Sequence, residues 1–167
     1  MKKTALFITQ AAAIAALYFV INLLQNTLLP GTTSMAIQFR VAEALCVLAL
    51  FTKAAIPGLG IGCLLFNLTT AGSLPLDFIV GTVATVLAAV TMYLLRNVKI
   101  KRYPLPAMLM PVVFNAVIVG LELTYYFNDP LLLNMAYVAA GEAAVIFVLG
   151  TALYFVLDRQ KTRLFAK

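Results

Sequence analysis

Residues 76–102 read LDFIVGTVATVLAAVTMYLLRNVKIKR. From Leu76 to Leu95 the run carries one charge, Asp77. Its length, about 20 residues, suits a helix crossing a hydrocarbon core of about 30 Å. Arg96, Lys99, Lys101 and Arg102 follow at once and form the densest basic stretch of the chain, the mark of a cytoplasmic boundary. One stretch therefore predicts both a span and its orientation.

The rest of the chain is of the same kind. Of 167 residues 63% are apolar and 11% charged, with a mean hydropathy of +1.02, whereas soluble domains are about half apolar and a quarter charged. At about 20 residues per span the length allows five or six spans and no separate soluble domain. Breakers at Pro30-Gly31, Pro57-Gly58, Pro75 and Asn128-Asp129-Pro130 divide the apolar runs. The expectation is an all-α integral membrane protein with one transmembrane domain, residues 1–167, and helices at about 4–26, 35–51, 57–70, 76–95, 106–127 and 131–157. Lys2 and Lys3 before Ala11-Ala12-Ala13 resemble a signal peptide, but the apolar run continues to Leu29, so an uncleaved first helix is expected.

Six spans place the loops on alternating sides. Lys2 and Lys3, then Lys53, then Arg96 to Arg102, then Arg159, Lys161, Arg163 and Lys167 fall on one side, and Arg40 alone on the other. By the positive-inside rule the first side, with both termini, is cytoplasmic. The net charge of +6 thus reports orientation and not nucleic-acid binding.

Several chemistries are disfavoured. The chain has no His, which removes the commonest metal ligand and general base. Cys46 and Cys63 lie inside apolar runs and read as inert core thiols. Residues 57–62, PGLGIG, lack the lysine and hydroxyl of a phosphate loop. No Ser–Lys or paired-Asp signature suggests an intramembrane hydrolase, so neither an enzyme nor a metal or other cofactor is expected. A small self-assembling channel is a further alternative.

The acidic residues run opposite to the basic ones. Glu43, Asp77, Glu122, Asp129 and Glu142 lie toward the outer side and Asp158 at the cytoplasmic end. Charges inside spans tend to line cavities, which makes Arg40, Glu43, Glu122 and Glu142 candidate site residues. Arg40 and Glu43, three apart, can pair with each other. Glu122 and Glu142 then remain, and a cationic or N–H-rich ligand would balance them, because a carboxylate accepts a bidentate donor edge. Asn115, Glu122, Tyr125 and Tyr126 share one side of their helix by spacing. Asn67, Asn134 and Tyr137 add outer-half groups suited to a flat heterocycle. Ala11, Ala12, Ala15 and Ala16 form small-xxx-small pairs that admit another helix, from this chain or from a partner.

These residues resemble the QueT-type substrate-binding subunits, or S-components, of energy-coupling factor transporters. The likeness covers nearly the whole chain. It rests on Gln38-Phe39-Arg40-Val41-Ala42-Glu43-Ala44-Leu45, Pro57-Gly58-Leu59 with Gly62-Cys63 and Asn67, Asp77 with Gly81-Thr82, Gly120-Leu121-Glu122, and Gly141-Glu142. The resemblance implies a six-helix bundle in the bacterial cytoplasmic membrane, bathed in lipid, and a 7-deazaguanine ligand related to queuosine. It also implies a coupling protein that docks on the alanine-rich first helix, and two ATPase subunits. The binding role it carries falls above all on Arg40, Glu43, Asn67, Asp77, Glu122 and Glu142; with Gln38, Asn115, Tyr125, Asn134 and Tyr137 these are the expected substrate-binding residues. An S-component for riboflavin or thiamine is the nearest alternative.

Overall fold

The computed structural model describes residues 3–33, 39–70 and 74–164. The described residues are helical and contain no strand. In chain order they form α1 (Lys3–Leu28), a 3-10 helix (Val41–Leu50), α2 (Ala55–Thr69), α3 (Asp77–Leu95) and α4 (Leu105–Phe127). A last rod joins α5 (Leu131–Ala144), a π-helical segment (Val145–Gly150) and α6 (Thr151–Leu164).

Four of these helices are long and apolar enough to cross a membrane: Lys3–Leu28, Asp77–Leu95, Leu105–Phe127 and Leu131–Lys161. Of the expected helix at 35–51, residues 35–38 lie outside the described residues, and what is described of it, like the helix expected at 57–70, is shorter than a span. The first is 10 residues of 3-10 helix, which at a rise of about 2.0 Å per residue covers roughly 20 Å. The second is the 15 residues of α2, again roughly 22 Å at 1.5 Å per residue. Pro57 and Pro106 sit in the first turns of α2 and α4, where a missing N–H removes no intrahelical bond.

Neighbouring helices pack in sequence, α1 on α2, α2 on α3, α3 on α4 and α4 on α5, while the 3-10 helix touches α1, α2, α3, α4 and the last rod. It is the axis of the bundle. Its sequence, VAEALCVLAL, is apolar all round except for Glu43, so burial on every side suits it. Ala42, Cys46, Val47 and Ala49 are fully buried.

α1 and α2 run parallel and very close. A Cβ at Gly58 would stand 2.8 Å from the Ala11 carbonyl oxygen, and one at Gly62 2.8 Å from that of Ala15. Here glycine is required for the backbones to approach, as in small-residue contacts within membranes.

Contacts fix the two ends of the bundle. At one end Thr52 donates to Gln10 (3.1 Å), Lys53 and Arg96 lie over the Tyr93 ring, and Tyr103 bonds Thr151 (2.6 Å). At the other the C-termini of α1, α2 and α4 meet the N-termini of the 3-10 helix, α3 and α5, through Gln25–Val41, Asn67–Asp77 and Asn134–Thr124 bonds.

The distribution of polarity is inverted relative to a soluble protein. α1 exposes Leu17, Val20, Leu23 and Leu24, among others, whereas Asn22, Arg40, Glu43, Asp77, Glu122 and Glu142 are buried. Apolar exteriors and polar interiors are what a lipid solvent selects.

Candidate functional site

Arg40 starts the site. It is the N-cap of the 3-10 helix, with φ −94° and ψ 96°. This extended conformation turns its side chain away from the face that carries Glu43. The expected Arg40–Glu43 pair does not form. Arg40 Nη2 instead meets Asp77 Oδ2 at 3.1 Å and Oδ1 at 3.3 Å, and Nε donates to the Thr33 carbonyl oxygen at 3.2 Å. Asn67 Nδ2 donates to the Asp77 carbonyl oxygen at 3.0 Å. The three side chains converge on Gly81, where a Cβ would lie 2.9 Å from Asn67 Nδ2, 3.1 Å from Asp77 Oδ1 and 3.4 Å from Arg40 Nη1. Gly81 gives this cluster its room.

Glu43, one turn into the 3-10 helix, is held by neutral donors. The Tyr18 hydroxyl donates to Oε1, as does the Thr85 hydroxyl at 3.4 Å, while the Cys46 thiol donates to Oε2 at 3.1 Å. Both carboxylate oxygens are thus engaged within the protein. Cys46, expected to be an inert core thiol, is one of these donors.

Glu122 and Glu142 differ. Glu122 stands within electrostatic reach of Asp77 and Arg40, and Glu142 within reach of Glu43 and Arg40. Neither has an ion-pair partner among the described residues. Among the described residues, both Glu122 oxygens and Glu142 Oε1 are buried with no hydrogen-bond partner, and the same holds for Asn67 Oδ1 and for both side-chain polar atoms of Asn22. Of these atoms only Asn22 Nδ2 is a donor. With Arg40 committed to Asp77, the cluster is rich in carboxylate and in unanswered acceptors.

The remaining expected site residues divide. Asn115 is buried two turns below Glu122 and donates to the Pro111 carbonyl oxygen at 3.1 Å. Asn134 is buried and donates to Thr124 at 3.0 Å, tying α5 to α4. Tyr125 is 75% exposed and packs edge-on against Tyr126, away from the buried carboxylates that spacing alone would put beside it. Tyr137 is partly exposed. Gln38 lies outside the described residues.

Sequence reasoning missed Tyr18, Asn22 and Thr85. Tyr18, Asn22 and Gln25 stand four and three apart on α1 and are all buried, and that polar stripe was a legible signal. The alanine flank splits. Ala11 and Ala15 are buried against Gly58 and Gly62, while Ala12 and Ala16 are exposed. All four border an apolar groove of about 630 Å³, with Phe19, Pro57, Ile61 and Leu65.

An apolar helical exterior around a buried charged cluster is that of a multi-pass membrane protein. The family model described as QueT transporter matches residues 8–159, and the chain belongs to that family. No curated protein and no solved structure matches it.

Proposed function

We propose that this chain is the substrate-specific binding subunit of an energy-coupling factor importer and that it captures a 7-deazaguanine precursor of queuosine for ATP-driven uptake. The observation that carries the reading is the imbalance of unpartnered buried atoms among the described residues: five acceptors, on Asn22, Asn67, Glu122 and Glu142, against one donor, Asn22 Nδ2. Each buried polar atom without a partner costs about 1–3 kcal/mol, more when charged. A fitting ligand is therefore rich in donors. A guanine-like edge presents a ring N–H beside an exocyclic amine, a geometry that suits the two oxygens of Glu122. An aminomethyl substituent adds an ammonium, which the Glu43, Glu122 and Glu142 carboxylates favour.

Orientation follows from charge. Lys53, Arg96, Lys99, Lys101 and Arg102 gather toward the end away from Arg40, and the positive-inside rule makes that end, with both termini, cytoplasmic in the bacterial plasma membrane. The ligand cluster then faces the outer half. Six crossings require α2 and the 3-10 segment to count as short spans.

The chain carries no nucleotide-binding motif, so uptake calls for a transmembrane coupling subunit and two ATPase subunits. Ala12 and Ala16, exposed beside the α1–α2 groove, are the surface on which the coupling subunit docks.

Isothermal titration of the purified protein with 7-aminomethyl-7-deazaguanine, guanine, riboflavin and thiamine tests the proposal. Tight binding of the 7-deazaguanine is expected; preference for riboflavin or thiamine overturns the substrate assignment.

A further inference from the structure

Asn22 is fully buried near the C-terminal end of α1, and neither its Nδ2 nor its Oδ1 has a partner among the described residues. A carboxamide in that position is expensive unless something answers it. Its surroundings place it. One turn before it, Tyr18 donates to Glu43; one turn after it, the Gln25 side chain donates to the Phe39 carbonyl oxygen and accepts from the Val41 N–H at 2.8 Å. Asn22 therefore faces the Arg40–Glu43 stretch between two side chains that grip it.

The parallel α1–α2 contact places it from a second direction. A Cβ at Gly58 meets Ala11 and Ile14, and one at Gly62 meets Ala15 and Tyr18. Each advance of four residues on α2 is matched by four on α1, so the next step sets Phe66 level with Phe19 and Asn22. Asn67 is the following residue, and its Oδ1 is also unpartnered. Two incompletely satisfied amides thus stand at one height on adjoining helices, beside the Arg40–Asp77 pair that Asn67 supports.

We infer that Asn22 extends the ligand site onto α1 as a specificity-determining residue that reads the ring carbonyl of a flat heterocycle. This rests on the binding reading above and deepens it. Glu122 offers acceptors alone, and among the unpartnered buried atoms of the described residues Asn22 supplies the single donor, Nδ2. With the ring N–H and the exocyclic amine taken by Glu122, the neighbouring ring carbonyl is left as an acceptor that Asn22 Nδ2 can answer. The substrate class is accordingly a lactam-containing heterocycle, not merely a cation.

The test uses the intact purified protein, two ligands and two variants. Asn22→Asp keeps the shape and removes the donor. It should weaken 7-deazaguanine binding roughly tenfold or more, the size expected when one hydrogen bond to a buried group is lost. Against 2-amino-7-deazapurine, which lacks the ring carbonyl, the same variant should change affinity far less. Equal losses for both ligands, or no loss for either, overturn the assignment. Asn22→Leu is read without ligand: replacing an unanswered amide by an apolar group of similar size should raise the melting temperature. A lowered melting temperature would mean that the amide supports the fold, and that result too overturns the inference. If the wild-type protein binds neither compound, the 7-deazaguanine reading falls and the ligand-free measurement alone decides: a rise keeps Asn22 as a subsite group, a fall removes it.

Discussion

Leucine substitutions on the two halves of the α1 alanine flank should have different consequences, because Ala11 and Ala15 are buried and Ala12 and Ala16 exposed, although all four border the same groove. Ala11 and Ala15 are buried at 8% and 6% exposure, and their carbonyls stand 2.8 Å from where a Cβ would be at Gly58 and Gly62. Ala11→Leu with Ala15→Leu forces three extra heavy atoms per site into the closest helix contact of the bundle. Overpacking of this kind costs about 1–3 kcal/mol per site. The double variant should therefore lose about 2–6 kcal/mol and melt well below the wild type. Ala12→Leu with Ala16→Leu adds the same atoms to an exposed face beside the groove of about 630 Å³, where nothing in this chain is displaced. Its melting temperature and ligand affinity should stay at wild-type values. If the coupling subunit docks there, uptake should nevertheless be abolished, since the added side chains hold the partner helix away. The assay is paired: titration calorimetry and thermal unfolding in detergent, and uptake in cells expressing the whole transporter. Normal uptake by Ala12→Leu with Ala16→Leu would refute the docking surface. An equally damaged fold in both double variants would refute the division of the flank.

Glu122→Gln replaces one of two unpartnered acceptors with a donor, so ligand binding should weaken by about 2–5 kcal/mol, roughly 30-fold or more, while the protein stays folded; calorimetry that finds unchanged affinity removes Glu122 from the site. Gly81→Ala puts a methyl group 2.9 Å from Asn67 Nδ2 and 3.1 Å from Asp77 Oδ1. It should destabilise the protein by about 1–3 kcal/mol and weaken ligand binding, both visible in thermal unfolding with and without ligand. For topology, Thr32→Cys and Asp129→Cys should react with an impermeant thiol reagent on intact cells and Lys99→Cys should not, against a low background from the buried Cys46 and Cys63. Asp129 is preferred to Asn128, which sits at φ 56°, a conformation that cysteine adopts poorly. Reversed labelling overturns the orientation.

The amino-acid sequence by itself determined the solvent of this protein and the places of its long helices. A run of about 20 apolar residues is a local property, and the helices at Lys3–Leu28, Asp77–Leu95, Leu105–Phe127 and Leu131–Leu164 lie close to the expected bounds, although the last continues past residue 157. The identity of the buried charges was equally legible, because a carboxylate among apolar neighbours stands out whatever it touches. Partnership was not. Spacing proposed Glu43 for Arg40; an extended N-cap turned Arg40 toward Asp77 instead, 37 residues on. Spacing grouped Tyr125 with Glu122, and ran the second helix through 35–51, where the structure has a 3-10 helix from Val41 to Leu50. A stripe of alanines, read alone, leaves open which members meet Gly58 and Gly62 and which face outward. These were decided by tertiary packing, for one physical reason: in a helix that is apolar on every side, periodicity carries no information about which face meets protein and which meets lipid, and only the neighbouring helices supply it.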